Sequence, residues 1–281
     1  MTATADNPAA RTRSSYGLEE DENGNTYFVL DWNQDPSTEH LTVLGANGEG
    51  FLKNLGTVAG IRKEAGQMTF SGEVAESDYY HFYYPSIADS STHIKEHYNA
   101  ESGMLERVTF DLSKQICYVN DLYSQLPLYD VMYAPLAARA DNSNHVTTRL
   151  KRVCTPISMK FLLPQGIKEV TKVIVSYTDN QLAYYSQLAL AYNPDGSMEL
   201  LHENPVSAYY LQVVGDKDDL SERQLMVTLV MPSKNYHPTD TRAYRSAAPV
   251  VTLVTANGES FSSSAACDSE RMSANVALSR R

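Results

Sequence analysis

Apolar and polar residues alternate with period two through most of this chain. In residues 155–163, Ile157, Met159, Phe161 and Leu163 are spaced by Ser158, Lys160 and Leu162, the pattern of a strand with one buried face. Residues 168–177 place Val173, Val175 and Tyr177 on one face, and residues 224–231 do the same with Leu225, Val227, Leu229 and Met231. In residues 183–192, Leu188 and Leu190 fall on one face and Ala189 and Ala191 on the other. Shorter runs of strand character occupy residues 27–32, 41–44, 67–70, 79–84, 107–112, 250–255 and 273–279. Asn47-Gly48, Asp195-Gly196 and Asn257-Gly258 punctuate these runs, as expected of tight hairpins whose central residues need positive φ. Helical periodicity is scarce, with short helices expected only at residues 89–99 and around Leu220 at 218–223.

Many short strands joined by Asn-Gly and Asp-Gly turns predict an all-β protein of the sandwich or barrel kind. The length of 281 residues suits two domains. The mostly small and polar stretch at 136–144 separates two strand-rich halves. The expected organisation is a flexible tail at 1–24, an N-terminal β-sandwich at 25–140 and a C-terminal β-sandwich at 141–281. The tail is expected to lack structure because its small polar residues and the acidic run Glu19 to Glu22 offer little apolar surface to offset the entropy of ordering.

Composition narrows the function. A hydrophobic fraction of 42% can fill a core, and 19 Tyr against 7 Phe and 1 Trp fits half-buried strands with hydroxyls in water. The formal net charge of −11 would repel a phosphate backbone, so nucleic acid is excluded as a partner. No apolar run approaches the length of a transmembrane helix, and residues 1–15 lack the apolar stretch of a signal peptide. The three cysteines, Cys117, Cys154 and Cys267, match no zinc or redox spacing and read as small buried hydrophobes, with one disulfide open to them.

Chemistry-bearing motifs are absent: no GxSxG, HExxH, P-loop or GxGxxG occurs. His93 and His97 would share a face of the helix expected at 89–99, but no third ligand stands at zinc-site spacing. The acidic segment from Asp21 to Asn25 echoes a calcium loop but places glycine at position four and Trp32 at position twelve, so it reads as a solvated turn. No catalytic residue, cofactor or metal is expected, and the chain reads as no enzyme. The run from Tyr79 to Tyr84, closed by Pro85, is read as a core strand with one set of alternate rings buried. Exposed, those rings would stack on sugars or a partner, which leaves a cell-surface glycan-binding module as the alternative function.

Several segments resemble the fimbrillin family of Bacteroidota, the subunits of type V pili and related surface lipoproteins. They are Met68-Thr69-Phe70-Ser71-Gly72 followed by the aromatic strand ending in Tyr83-Tyr84-Pro85, then Leu128 to Ala134 (LYDVMYA), and Arg152 to Leu163 (RVCTPISMKFLL). The closing layout is also similar: residues 250–255, Asn257-Gly258 and a last strand, so the resemblance spans residues 25–281. It implies two transthyretin-like β-sandwich domains with Greek-key connections, an outer-membrane-attached or fimbrial location, and partners that are other pilus subunits or, for an adhesin, host or bacterial surface ligands. It also implies assembly by strand donation, in which an N-terminal strand is removed and a neighbour's strand fills its groove. Arg11 and Arg13 are the cleavage candidates, and Val276 and Leu278, alternating with Ala277 and Ser279, mark a last strand that is either donated to a neighbour or completes its own sheet. The family's lipidated cysteine lies near the mature N-terminus, whereas the first cysteine here is Cys117. The resemblance therefore places lipidation upstream of Met1.

Overall fold

The computed structural model describes residues 2–6, 15–20, 22, 26–32, 35–46, 52–64, 67–134, 138–139, 145–163, 165–167, 169–177, 184–193, 197–215, 224–232, 249–264, 275–277 and 279–280. Among them every regular element is a strand, except a 3-10 turn at Pro36–Thr38 and one helical turn, α1, at Leu126–Tyr129. The all-β reading therefore holds, and the strands form several mainly antiparallel sheets grouped in two compact units.

Unit 1 comprises Met1–Asp111, Pro127–Cys154 and Leu188–Leu201. Its main sheet has nine strands, in the order β13 (His145–Thr148), β1 (Thr2–Asp6), β6 (Gln67–Ser71), β5 (Leu52–Glu64), β4 (His40–Ala46), β7 (Tyr79–Tyr84), β11 (Met132–Tyr133) and β14 (Lys151–Arg152), with β12 (Ala138–Arg139) also on β7. β1 runs parallel to β13 and antiparallel to β6. A four-stranded sheet has the order β18 (Met198–Val206), β17 (Tyr184–Tyr192), β9 (Leu105–Asp111), β8 (Ile94–Tyr98), and β2 (Ser15–Glu20) pairs with β3 (Thr26–Asp31) as a separate hairpin. Of β17 and β18, the tip within Leu188–Leu201 is the part that belongs to unit 1.

The core of unit 1 follows from register. Val43 stands opposite Phe82, and Leu41 opposite Val58, so alternate residues of three neighbouring strands share one face. Met68, Phe70, Tyr80 and Tyr84 join them in a single buried cluster around Trp32. The indole meets Phe70 and Tyr84 edge-on, with ring centroids 5.7 and 5.8 Å away, the geometry that ring quadrupoles favour. Gly60 is required where β5 passes the 3-10 turn. Its N–H donates to the Glu39 carbonyl at 2.8 Å, and a Cβ there would collide with the Pro36 carbonyl oxygen.

Two expectations are corrected here. The aromatic strand β7 is buried on both faces rather than one: Tyr80, Phe82 and Tyr84 face the Trp32 cluster, while His81 and Tyr83 meet Tyr192 and Phe110 of the four-stranded sheet at 5.8 and 5.6 Å. Each face of the strand has its own cover. Residues 89–99 form no helix; turns lead into β8, whose Ile94 is buried while Lys95 is exposed. Strand alternation, with Ile94 and Glu96 on one side and Lys95 and His97 on the other, outweighs the weak helical spacing. The helix expected at 218–223 lies outside the described residues. Thr2–Asp6 and Ser15–Glu20 are strands; ladder hydrogen bonds supplied by neighbouring strands do not require apolar side chains.

Unit 2 comprises Leu112–Leu126, Thr155–Gln187 and His202–Arg281. Its six-stranded sheet has the order β10 (Gln115–Tyr118), β19 (Ala208–Val214), β16 (Val170–Tyr177), β21 (Pro249–Thr255), β22 (Ser260–Ser264), β24 (Ser279–Arg280), and its three-stranded sheet the order β20 (Gln224–Pro232), β15 (Cys154–Leu162), β23 (Asn275–Ala277). Asn257-Gly258 lies in the connection between β21 and β22 as expected, but only Gly258 takes positive φ, at 85, and Asn257 does not, so the turn is not the tight type with both central residues at positive φ. The chain enters unit 2 at Leu112 and leaves it after Leu126, contributing β10 parallel to β19. The Gln115 side chain treats Val230 of β20 as a ladder partner: its Nε2 donates to the Val230 carbonyl at 2.7 Å, and its Oε1 accepts from the Val230 N–H at 2.7 Å. One buried amide thereby satisfies both backbone groups of a buried residue.

Candidate strand-exchange site

β1 is the element whose placement bears most on function. It is an internal strand of the nine-stranded sheet. Thr2, Ala3, Thr4, Ala5 and Asp6 stand opposite Ser71, Phe70, Thr69, Met68 and Gln67 of β6. On the other side Thr2 to Ala5 stand opposite His145 to Thr148 of β13. The flanking strands carry buried Met68, Phe70 and Val146, so the slot borders the hydrophobic core. The sequence of β1, Thr-Ala-Thr-Ala-Asp, contains no large side chain, and main-chain pairing on two sides is its principal hold. Each such hydrogen bond contributes about 0.5–1.5 kcal/mol net.

Arg11 and Arg13 lie outside the described residues; by sequence they fall in the connection between β1 and β2. A cut after either would sever β1 from everything that follows. At the other end of the chain, Val276 stands opposite Phe161 in the parallel pair of β23 with β15. Ser279 and Arg280 pair with Ser262 and Phe261 of β22, and Leu278 lies outside the described residues. The terminal segment thus divides between the two sheets of its own unit. β1 escaped the sequence reading because a five-residue alternation of Thr and Ala carries almost no hydrophobic signal.

The titratable groups have structural surroundings. His93 and His97 are not brought together: His93 Nε2 contacts the Tyr129 hydroxyl at 3.2 Å, and His97 Nε2 the Thr109 hydroxyl at 2.9 Å. No cluster of three or more metal-ligating side chains occurs among the described residues. Asp130 holds Arg152 through two contacts of 2.6 Å in the interior of unit 1. Tyr84 donates to Glu39 at 3.0 Å, and burial above all, then the Glu39 carboxylate, pushes its hydroxyl well above the usual range. Burial also raises the Cys117 and Cys154 thiols, which are free and enclosed; Cys267 lies outside the described residues. Desolvation alone lowers His81 to about 4. Tyr84, Cys154 and His81 are all buried in the protein, out of reach of a dissolved substrate. No helix among the described residues is long and apolar enough to cross a membrane.

No family model matches the chain, and no curated protein matches it. The solved structures it is similar to include adhesin candidates and fimbrial proteins of Bacteroides, Parabacteroides and Porphyromonas. A candidate cell adhesion protein from Bacteroides ovatus aligns over 93% of this chain and 85% of its own at 12% identity and a TM-score of 0.43. The fimbrial anchor protein Mfa2 from Porphyromonas gingivalis aligns over 77% and 69% at 10% identity and a TM-score of 0.36. The tip fimbrial protein Mfa3 from the same organism, truncated at its C-terminus, aligns over 82% and 76% at 10% identity and a TM-score of 0.28.

Proposed function

We propose that this chain is a fimbrial structural subunit or surface adhesin that assembles by β-strand donation, and that its units are transthyretin-like β-sandwich domains with Greek-key connections, held at the cell surface as part of a lipoprotein. The observation that carries the reading is the position of β1 between β6 and β13, with Arg11 and Arg13 following it in the sequence. Cleavage after Arg11 or Arg13 would free it. Its loss would expose unpaired N–H and C=O groups on two neighbours at once, beside buried Met68 and Phe70, which is an acceptor for an extended peptide. The slot also sets a direction: an incoming strand must run antiparallel to β6 and parallel to β13. The segment around Val276 and Leu278 of a second copy is the proposed donor. The burial of Tyr80 to Tyr84 takes support from a glycan-binding reading of that strand.

The test is limited digestion of the purified chain with an arginine-specific protease, followed by light scattering on a sizing column. The expected result is a monomer before digestion and a ladder of oligomers after it. Replacing Arg11 and Arg13 by Gln should block the ladder, and so should deleting residues 275–281. A chain cut at these arginines that sheds β1 yet remains monomeric at high concentration would refute the proposal.

A further inference from the structure

The six-stranded sheet of unit 2 alternates cleanly. Val173, Val175, Leu211, Val213, Val251 and Leu253 point inward and are buried. The residues between them form two straight rows across the strands. In one, Tyr210, Ile174, Thr252 and Ser262 stand opposite one another in succession. In the other, Ile116, Gln212, Lys172, Val254 and Ser260 do the same. Tyr118, opposite Val214, extends the face at its edge. Tyr210 is 54% exposed, and Tyr118 and Val214 38% each.

Charge distinguishes this face. The chain carries 23 basic and 34 acidic residues, yet Lys172 is the single charged side chain on the outward rows of these five strands, and none is a carboxylate. Depletion of charge with exposed tyrosine is the signature of a binding surface rather than a solvated one. Its size limits the occupant. Five strands at about 4.8 Å and five residues at about 3.3 Å give roughly 400 Å², about half of the roughly 800 Å² per partner in a stable protein interface. The polar groups are ones that meet neutral hydroxyls: the Gln212 amide, the Lys172 ammonium, and the Thr252 and Ser262 hydroxyls, which lie 2.8 Å apart. Lys172 Nζ sits over the Tyr210 ring, 6.0 Å from its centroid, and the residue is exposed.

We propose that this face binds a neutral oligosaccharide, laid across the strands along the Tyr210–Ile174–Thr252–Ser262 row. The Tyr210 ring stacks on the apolar side of a sugar ring, and Gln212, Lys172, Thr252 and Ser262 bond the hydroxyls. Within these five strands a polyanion would meet Lys172 alone on an acidic chain, and a polycation would meet no carboxylate. Binding needs neither cleavage nor assembly, so it stands apart from strand donation.

The test is calorimetric titration of the uncleaved full chain with cellohexaose, xylohexaose and mannohexaose, with hexagalacturonate as the anionic control. At least one neutral hexamer should bind at millimolar concentration or below, and hexagalacturonate should not. Tyr210→Ala should weaken binding by about tenfold or more, Tyr210→Phe should retain most of it, and Tyr98→Ala, a surface tyrosine of unit 1, should change nothing. Absence of binding to all three neutral hexamers would overturn the proposal. So would binding indifferent to Tyr210→Ala, or a dimer dissolved by Tyr210→Ala, which would make a second copy the occupant.

Discussion

The Tyr83 hydroxyl of β7 donates to Glu96 Oε1 of β8 at 3.1 Å, tying the nine-stranded sheet of unit 1 to its four-stranded sheet. The same carboxylate accepts from Asn54 Nδ2 at 2.5 Å and, through Oε2, from the Tyr98 hydroxyl at 2.5 Å. Burial above all holds the Tyr83 hydroxyl protonated, far above its ordinary range, so toward Glu96 it acts as the donor. Removing the acceptor therefore costs more than removing one donor. Tyr83→Phe should lower unfolding stability by about 1 kcal/mol, and Glu96→Ala by about 2–3 kcal/mol, because it strands several donors at once. Urea unfolding of the two variants checks the order.

His81 gives unit 1 a sensitivity to acid. The ring is buried, and neither nitrogen has a hydrogen-bond partner, so protonation would place an uncompensated charge between the sheets. Its value falls from 6.5 to about 4 through desolvation. Between these limits the unfolded chain binds the extra proton, so stability is intact above about pH 6.5 and declines as pH falls toward 4, by about 3 kcal/mol in all. His81→Leu should remove that component and flatten the dependence of melting temperature on pH in this window. Identical pH profiles for the two proteins would refute the assignment.

Gln115 supports unit 2 through the paired bonds to Val230. Gln115→Leu keeps an apolar volume but leaves the Val230 N–H and carbonyl buried without partners, at a cost of about 3 kcal/mol. Hydrogen exchange at the Val230 amide should accelerate well beyond what the global loss accounts for, while exchange in β4 and β7 follows the global change alone. Uniform acceleration throughout would mean that the clamp has no local role.

The strands legible in the sequence are those whose alternation is strong over seven or more residues. β15, β16, β17 and β20 appear within one or two residues of the expected bounds. β5 is not legible in the sequence because Leu52–Glu64 mixes two glycines with polar residues and shifts register between Gly60 and Arg62. β8 reads as part of a helix in the sequence because five residues cannot separate a period of 2 from one of 3.6. The slot of β1 was illegible for a different reason. The chemistry that fills it is backbone chemistry, which every residue but proline carries alike, and only the fold reveals which strand stands between β6 and β13. The outward rows on the unit 2 sheet were hidden in the same way, since β19 and β10 were not foreseen as strands at all.

The two-sided hold on β1 has a mechanical consequence. A pull along its axis would strain the five paired positions on β6 and the four on β13 together, as in shearing a glued lap joint. A pull sideways would open the pairs one after another, as in peeling tape. Any strand that takes the place of β1 inherits this anisotropy, so the strength of the junction is set by the angle at which tension reaches it.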